Sequence, residues 1–285
     1  MREFKFDKQK YGFELDMDLH TLDKRPSNYF ESEVHVTDFF EVIFLKQSSG
    51  NISVKDFGAS LLPYTIICNS PYQKKTNNIN QPQGYHLVFK DDFLANFFLD
   101  KLFVFKLNFF YNATSPQFFQ IHEKEFTAIE DVLKNIIAEI NDFRNDSQHI
   151  IRALLYFVLT KLNRLYSEFY KLYTIPSGDN IAYIFKDALE KNIRQVHQVE
   201  EYANLLKVER NRLNKIIQRH YNLTPKKLIQ HRLLQEIKTE LLYTDKTISE
   251  IASELHFSEP NNLSRFFQKH EEISPLHFRQ NRKRI

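Results

Sequence analysis

Apolar and polar positions change rhythm along this 285-residue chain. Over residues 1–112 the apolar runs are short, β-branched and aromatic, as in Phe39-Phe40-Glu41-Val42-Ile43-Phe44-Leu45, Asn51-Ile52-Ser53-Val54 and Tyr64-Thr65-Ile66-Ile67-Cys68. Ser48-Ser49-Gly50-Asn51, Pro63, Ser70-Pro71 and Gln81-Pro82-Gln83-Gly84 punctuate them. Short strands with regular turn signals predict a β-sandwich or small barrel. Residues 90–98 read as a short helix.

From Gln117 the spacing becomes three and four. Phe119, Phe126, Ile129, Val132, Leu133, Ile136, Ile137 and Ile140 mark one amphipathic helix. Ile151, Leu154, Leu155, Val158, Leu159, Leu162 and Leu165 mark a second, with Arg144-Asn145-Asp146-Ser147 as the turn between them. This is either an antiparallel helix pair or a helix with a coiled-coil arm. Its apolar seam has two destinations, the β domain or a second copy of the chain. Thr174-Ile175-Pro176-Ser177-Gly178-Asp179 breaks both helix and strand and reads as a linker.

Beyond the linker a pattern occurs twice. Residues 181–194 predict a helix and 199–206 a second, followed by a break at Lys207-Val208. In 209–221 the apolar residues Leu213, Ile216, Ile217 and Tyr221 form one narrow face opposite Arg, Asn, Lys and Gln. Two short helices with a tight turn, the second exposing long hydrogen-bonding side chains, describe a helix-turn-helix. The repeat opens at Thr247, an N-cap with Glu250 completing a capping box. His256-Phe257-Ser258 makes the turn, and 259–271 carries Leu263, Phe266 and Phe267 inward. Leu213 and Pro225 are 12 apart, as are Leu263 and Pro275. Each Pro follows Thr224 or Ser274, an N-cap before a helix that starts on proline. Residues 226–242 read as one long helix holding the units at a fixed separation, of use on B-DNA whose major groove returns every ~34 Å.

Charge supports the same reading. Residues 179–285 hold 19 Lys and Arg against 14 Asp and Glu, a net +5, ending in Arg279, Arg282, Lys283 and Arg284. The rest holds 20 against 22, a net −2. Polyanion binding draws on such an excess. Five Gly argue against a glycine-loop nucleotide fold, and Cys68 alone makes neither an internal disulfide nor a structural zinc site. With no signal peptide and no apolar run near ~18 residues, a cytoplasmic protein without a membrane partner is expected. No cofactor is expected either.

The stretch Ile248-Ser249-Glu250-Ile251-Ala252 through Phe257, Phe267 and Ser274-Pro275 to Phe278-Arg279 resembles the AraC/XylS-type bacterial transcription regulators. The resemblance covers about 100 residues from Ile181 onward. Where the family has a turn glycine this sequence has His256. Before the closing segments it has Asn222 and Glu272. The resemblance, with the helix faces, implies double-stranded DNA read by Arg210, Asn211, Arg212, Asn214 and Lys215 in the first unit and Asn261, Asn262, Ser264 and Arg265 in the second. Asn pairs with adenine and Arg with guanine. Arg219, Lys226, Lys227 and Lys269 are expected on phosphates.

Such regulators often carry a cupin-like barrel that binds a small effector. His35-Val36-Thr37-Asp38-Phe39-Phe40-Glu41-Val42-Ile43, Pro71-Tyr72-Gln73 and Gly84-Tyr85-His86-Leu87-Val88-Phe89 resemble parts of one. The expected α+β chain has a cupin-like β effector domain at 1–112, a helical hairpin and candidate dimerisation segment at 113–174, a linker at 175–180 and a double helix-turn-helix domain at 181–285. The expected function is a sequence-specific regulator, not an enzyme, working as a homodimer with a small-molecule effector and RNA polymerase as further candidate partners. A metal-dependent cupin enzyme would need a His-x-His pair, a carboxylate and a third His on neighbouring strands. His20, His35 and His86 stand singly and far apart in sequence. A DNA-independent interaction protein is opposed by the Arg and Asn surface on both second helices.

Overall fold

The computed structural model describes residues 2–7, 9–24, 27–30, 34–54, 57–90, 92–95, 103–112, 115–172, 181–221 and 223–282. The chain divides into two compact units, Met1–Ser177 and Gly178–Ile285. The expected linker falls outside the described residues. No described helix is long and apolar enough to cross a membrane.

Among the described residues the first unit is built on one sheet of eight strands: β1 (Arg2–Phe4), β2 (Met17–Thr21), β3 (His35–Thr37), β4 (Phe40–Val54), β5 (Phe57–Ser60), β6 (Thr65–Asn69), β7 (Lys75–Phe89) and β8 (Phe118–Gln120). The order is β1-β3-β7-β4-β6-β8, with β2 also on β7 and β5 also on β4. Pairing is antiparallel except for β1 with β3.

Two 15-residue strands, β4 and β7, run side by side and shift register between Leu45 and Ser49. There they bend, and two glycines make the bend possible. A Cβ on Gly84 would lie 1.8 Å from the Phe44 carbonyl oxygen, and one on Gly50 1.9 Å from that of Asn78. Their φ values of +141° and +121° are themselves unfavourable for side-chain-bearing residues. The bend folds the sheet back over Tyr29, Phe30, Ile43, Leu45, Ile52, Ile67 and Ile79. It does not make the closed cupin-like barrel expected from the sequence. The terminal strands β1 and β8 are three residues each and do not pair with one another.

Helices α1 (Asp92–Ala95), α2 (Asn108–Tyr111), α3 (Glu123–Asn141) and α4 (Ser147–Phe169) follow. Of the helix expected over 90–98, residues 91 and 96–98 lie outside the described residues. Phe40 meets Phe110 at 4.9 Å between ring centroids, Phe119 meets Tyr166 at 5.3 Å and Tyr64 meets Phe126 at 5.4 Å. These helices therefore bury one face against the sheet. Cys68 is buried in β6, and burial followed by the Glu41 charge pushes its thiol well above the ordinary value.

A charged group sits inside this unit. The Glu41 carboxylate is buried and accepts from Asn69 Nδ2 at 2.7 Å, from Lys75 Nζ and from the Tyr29 hydroxyl, with His86 Nε2 at 2.6 Å. Burial alone would raise its pKa, but the Lys75 and His86 charges outweigh burial and hold it well below the carboxylate range. His20 stands opposite His86 across the β2–β7 pair with rings 5.3 Å apart. His35 and His86 each pack on Tyr29, at 5.6 Å and 5.2 Å. Strand pairing thus sets His20 beside His86, and Tyr29 links His35 to His86. Among the described residues no group of three or more His, Cys, Asp or Glu is set to hold a metal ion.

Candidate nucleic-acid interface

The second unit contains α5 (Ile181–Asn192), α6 (Val199–Leu205), α7 (Arg210–Tyr221), α8 (Pro225–Tyr243), α9 (Ile248–Glu254), α10 (Pro260–Glu271) and α11 (Pro275–Arg282). Helices α6 and α7 form one helix-turn-helix, α9 and α10 the other. Helix α8 lies against α5, α6 and α7 on one side and α10 and α11 on the other. Its 19 residues span about 28 Å at ~1.5 Å per residue.

Both units start alike. Glu250 accepts from the Thr247 N–H at 2.7 Å, and Thr247 Oγ1 from the Glu250 N–H at 3.2 Å. At the head of α6, Glu201 accepts from the Gln198 N–H at 3.0 Å. Both first helices end on a left-handed residue, His256 at φ 52° and Lys207 at φ 53°. The next N–H returns to the helix, from Phe257 to the Ala252 carbonyl at 2.9 Å and from Val208 to that of Ala203 at 3.0 Å. This is the six-to-one bond of a Schellman ending, usually made with glycine at the left-handed position. Ala203 and Ala252 are buried where the second helix crosses. Ser258 has no counterpart in the first turn, which is one residue shorter.

Both units also close alike. Thr224 Oγ1 accepts from Lys227 N at 3.3 Å, and Ser274 Oγ from His277 N at 3.2 Å. Pro225 and Pro275 are the first residues of α8 and α11. Glu272 takes φ 62°, so the position where the family has glycine is left-handed here as well. Asn222 lies outside the described residues.

Helices α7 and α10 bury the same positions. Leu213 and Ile217 match Leu263 and Phe267, all fully covered. From 211 to 219 and from 261 to 269 the sequence of exposed, half-buried and buried residues is identical. The outward side chains are Asn211, Arg212 and Lys215 in α7, and Asn261, Asn262 and Arg265 in α10. Asn214 and Ser264 are half-buried beside them. Asn211, Arg212, Asn214, Lys215, Asn261, Ser264 and Arg265 make no side-chain hydrogen bond or ion pair with a described residue. Two sequence-expected readers are otherwise engaged. Asn262 Nδ2 donates to Ser258 Oγ at 2.8 Å, and Arg210 Nε lies 3.9 Å from Glu200 Oε2. Arg219, Lys226, Lys227 and Lys269 are exposed.

Gln218 and Gln268 are exposed on the same stripe, seven residues after Asn211 and Asn261, and neither was among the sequence-expected readers. Their signal was that spacing, which returns a side chain to the same helix face after two turns. Arg279, counted there with the basic end of the chain, is half-buried and donates from Nε to the Leu241 carbonyl at 3.1 Å. It satisfies the last turn of α8.

The described polar faces of α8 are tied to both sides. Arg232 Nε bonds Glu190 at 2.7 Å, and Lys238 pairs with Glu271 at 2.8 Å. Arg194 reaches Glu236 at 3.0 Å, Glu240 at 2.8 Å and Glu254 at 3.0 Å. Lys246 joins Glu240 at 3.1 Å and Glu254 at 2.7 Å. Burial would raise the Glu240 carboxyl, but hydrogen bonds from Arg194 and Lys246 lower it overall.

Two helix-turn-helix pairs flanking one central helix define the class of this unit. Residues 202–281 match the family model described as a helix-turn-helix domain, and this stretch is an AraC-type domain. The chain is 21% identical over 158 residues to the lactose operon transcription activator of Staphylococcus xylosus, a match covering 55% of this chain and 56% of that protein. The chain thus spans little more than half the length of that relative. Among solved structures, ToxT from Vibrio cholerae is 13% identical over 92% of this chain and 97% of its own, with a TM-score of 0.39. The C-terminal domain of AraT, a response regulator from Geobacillus stearothermophilus, is 23% identical over 36% of this chain and 85% of its own, with a TM-score of 0.35.

Proposed function

We propose that this chain is a sequence-specific, double-stranded-DNA-binding transcription regulator that lays α7 and α10 into major grooves. The observation that carries this reading is the pair of matched faces of unengaged Asn, Arg and Lys side chains, each at the start of the second helix of its unit. Residues at that end of such a helix reach base edges. The roles of Asn211, Arg212, Asn214 and Lys215, and of Asn261, Ser264 and Arg265, are base reading. Arg219, Lys226, Lys227 and Lys269 meet phosphate. Asn262 and Arg210 read only after leaving Ser258 and Glu200. The Staphylococcus relative is a transcription activator by name, which favours activation as the outcome.

The first unit supplies regulation in this reading. A second copy docks on α4, whose exposed Ile150 and Phe157 lie two turns apart on one face. A small effector acts at the bent sheet and shifts that pairing, and RNA polymerase is the downstream partner. A DNA-reading regulator of this kind works in the cytoplasm.

The test is a gel shift against sites recovered by in vitro selection. Replacing Arg212→Ala and Arg265→Ala together should remove site preference while circular dichroism stays unchanged. Full retention of preference in that double variant would sink the assignment. Phe157→Asp should shift the sedimentation of the full chain from dimer to monomer. A monomeric parent chain would refute the docking role of α4.

A further inference from the structure

The two reading helices are delivered by the same hardware. Each follows a helix that ends on a left-handed residue and returns the next N–H to a buried alanine, Ala203 or Ala252. Each is closed by a Thr or Ser cap and a proline. Each buries its fourth and eighth residues, Leu213 and Ile217 or Leu263 and Phe267. The extra residue Ser258 is absorbed in the second turn, because the rotational phase of α10 still matches that of α7 position by position. Helices held in the same phase by the same flanking contacts present equivalent positions to equivalent base steps.

Those positions carry nearly the same chemistry. Asn211 matches Asn261, Lys215 matches Arg265, Gln218 matches Gln268 and Arg219 matches Lys269. The substitutions that change chemistry among the expected readers are Arg210 against Pro260, Arg212 against Asn262 and Asn214 against Ser264. Asn262 is also turned back onto Ser258, the inserted residue. Asn pairs bidentately with adenine, and Lys and Arg share guanine as their preferred base. Residues four apart lie ~6 Å from each other on a helix face. With ~3.4 Å between successive bases, that separation reaches one or two base pairs along the groove.

We propose that the two units read half-sites sharing a common core. In each, an adenine faces Asn211 or Asn261, and a guanine one or two pairs away faces Lys215 or Arg265. The half-sites differ at the base pairs facing Arg210 against Pro260, Arg212 against Asn262 and Asn214 against Ser264. Arg212 selects a further guanine in the first half-site, and Asn262 does not. This specifies the ligand of the interface proposed above and rests on that reading.

The experiment is in vitro selection of random duplex DNA by the full chain at fixed salt, repeated with Asn211→Ala, Asn261→Ala and Arg212→Asn. The parent pool should contain two half-sites that align on the shared adenine and guanine. Each Asn→Ala variant should lose about 10-fold discrimination at the adenine of its own half-site and none at the other. Arg212→Asn should relax one further guanine and make the two half-sites more alike. A parent pool with two well-defined half-sites and no common base at equivalent places would overturn the proposal while leaving DNA reading intact. Equal loss at both half-sites from one Asn→Ala change would also overturn it. No enriched site at all would overturn the DNA reading beneath it.

Discussion

Arg194 Nη2 stands 3.0 Å from Glu254 Oε2, sixty residues further along the chain. That contact bridges the end of α5, beside the first helix-turn-helix, to α9 of the second. The same guanidinium holds Glu236 and Glu240 of the central helix, and both are buried. Arg194→Ala would leave those two carboxylates without that partner. We expect a loss of about 1–2 kcal/mol in urea unfolding of the chain, since orphaned buried acceptors cost about that much each and Lys246 and Arg232 remain to share the load. Arg144→Ala, which removes an exposed pair with Asp142, should leave the midpoint where it was.

Acid should act on both units through carboxylates held below their ordinary values, Glu41 in the first and Glu240 in the second. A carboxylate depressed in the folded state binds a proton less readily there than in the unfolded chain. Its contribution is therefore complete above the unfolded value of ~4.3 and lost as pH falls through the lower folded value. Unfolding midpoints should fall steeply below about pH 4, and the contribution of these two carboxylates should be flat above it. Glu240→Gln should shallow that acid limb, and an unchanged limb would contradict the assignment.

The buried Glu41–Lys75 pair gives a sharper result. Lys75→Met alone leaves a buried carboxylate short of its cation, and breaking such a pair from one side costs about 3–5 kcal/mol. The double variant Lys75→Met with Glu41→Gln should be less destabilised than the sum of the two single changes. Thermal melts of the four proteins measure this coupling directly, and strict additivity would mean that the pair does not interact.

Gly84→Ala places a methyl 1.8 Å from the Phe44 carbonyl oxygen, at a φ that alanine does not tolerate. The strand pair must open to admit it. We expect a loss of at least about 3 kcal/mol, at the upper end for single substitutions. Gly58→Ala, whose added carbon would meet only the Ile52 carbonyl oxygen at 3.6 Å, should be tolerated. Equal melting temperatures for the two variants would dispose of the bend as described.

His256 and Glu272 hold left-handed backbone without being glycine. The left-handed region costs an L-residue roughly 1–2 kcal/mol, and part of any gain is returned as extra freedom of the unfolded glycine. Each change to Gly should therefore raise stability by about 0.5–1 kcal/mol, read as a rise of a few degrees in melting temperature. A fall in either variant would show that the side chain supports the turn.

The helices of the second unit were legible because their signals are local. Leu213, Ile216, Ile217 and Tyr221 mark a helix face within twelve residues, and Thr224-Pro225 and Ser274-Pro275 carry their caps with them. What escaped was set by distance. Glu41 and His86 are diagonal neighbours across the β4–β7 pair, but Lys75, opposite Val54 at the far end, reaches them only because the strands bend, and no spacing in the sequence announces a bend of that depth. The expected barrel failed for a related reason: short strands were legible, but the terminal pairing was not, and Phe119, read as part of the following helix, lies in β8. Lys207 was legible as a break between helices but not as a left-handed residue, because lysine gives no sign of that backbone, whereas His256 stood out against the familiar glycine. Arg279 looked like part of a basic tail until its bond to Leu241 appeared.

The unengaged side chains of α7 and α10 also separate two histories within one helix. Leu213, Ile217, Leu263 and Phe267 carry the packing, while Asn211, Arg212, Lys215, Asn261 and Arg265 bond to no described neighbour. Substitutions among the second group cost the fold almost nothing. On the proposed reading, recognition can therefore drift quickly on a scaffold that stays still, and descendants of this chain would exchange target sites long before their helices cease to superimpose.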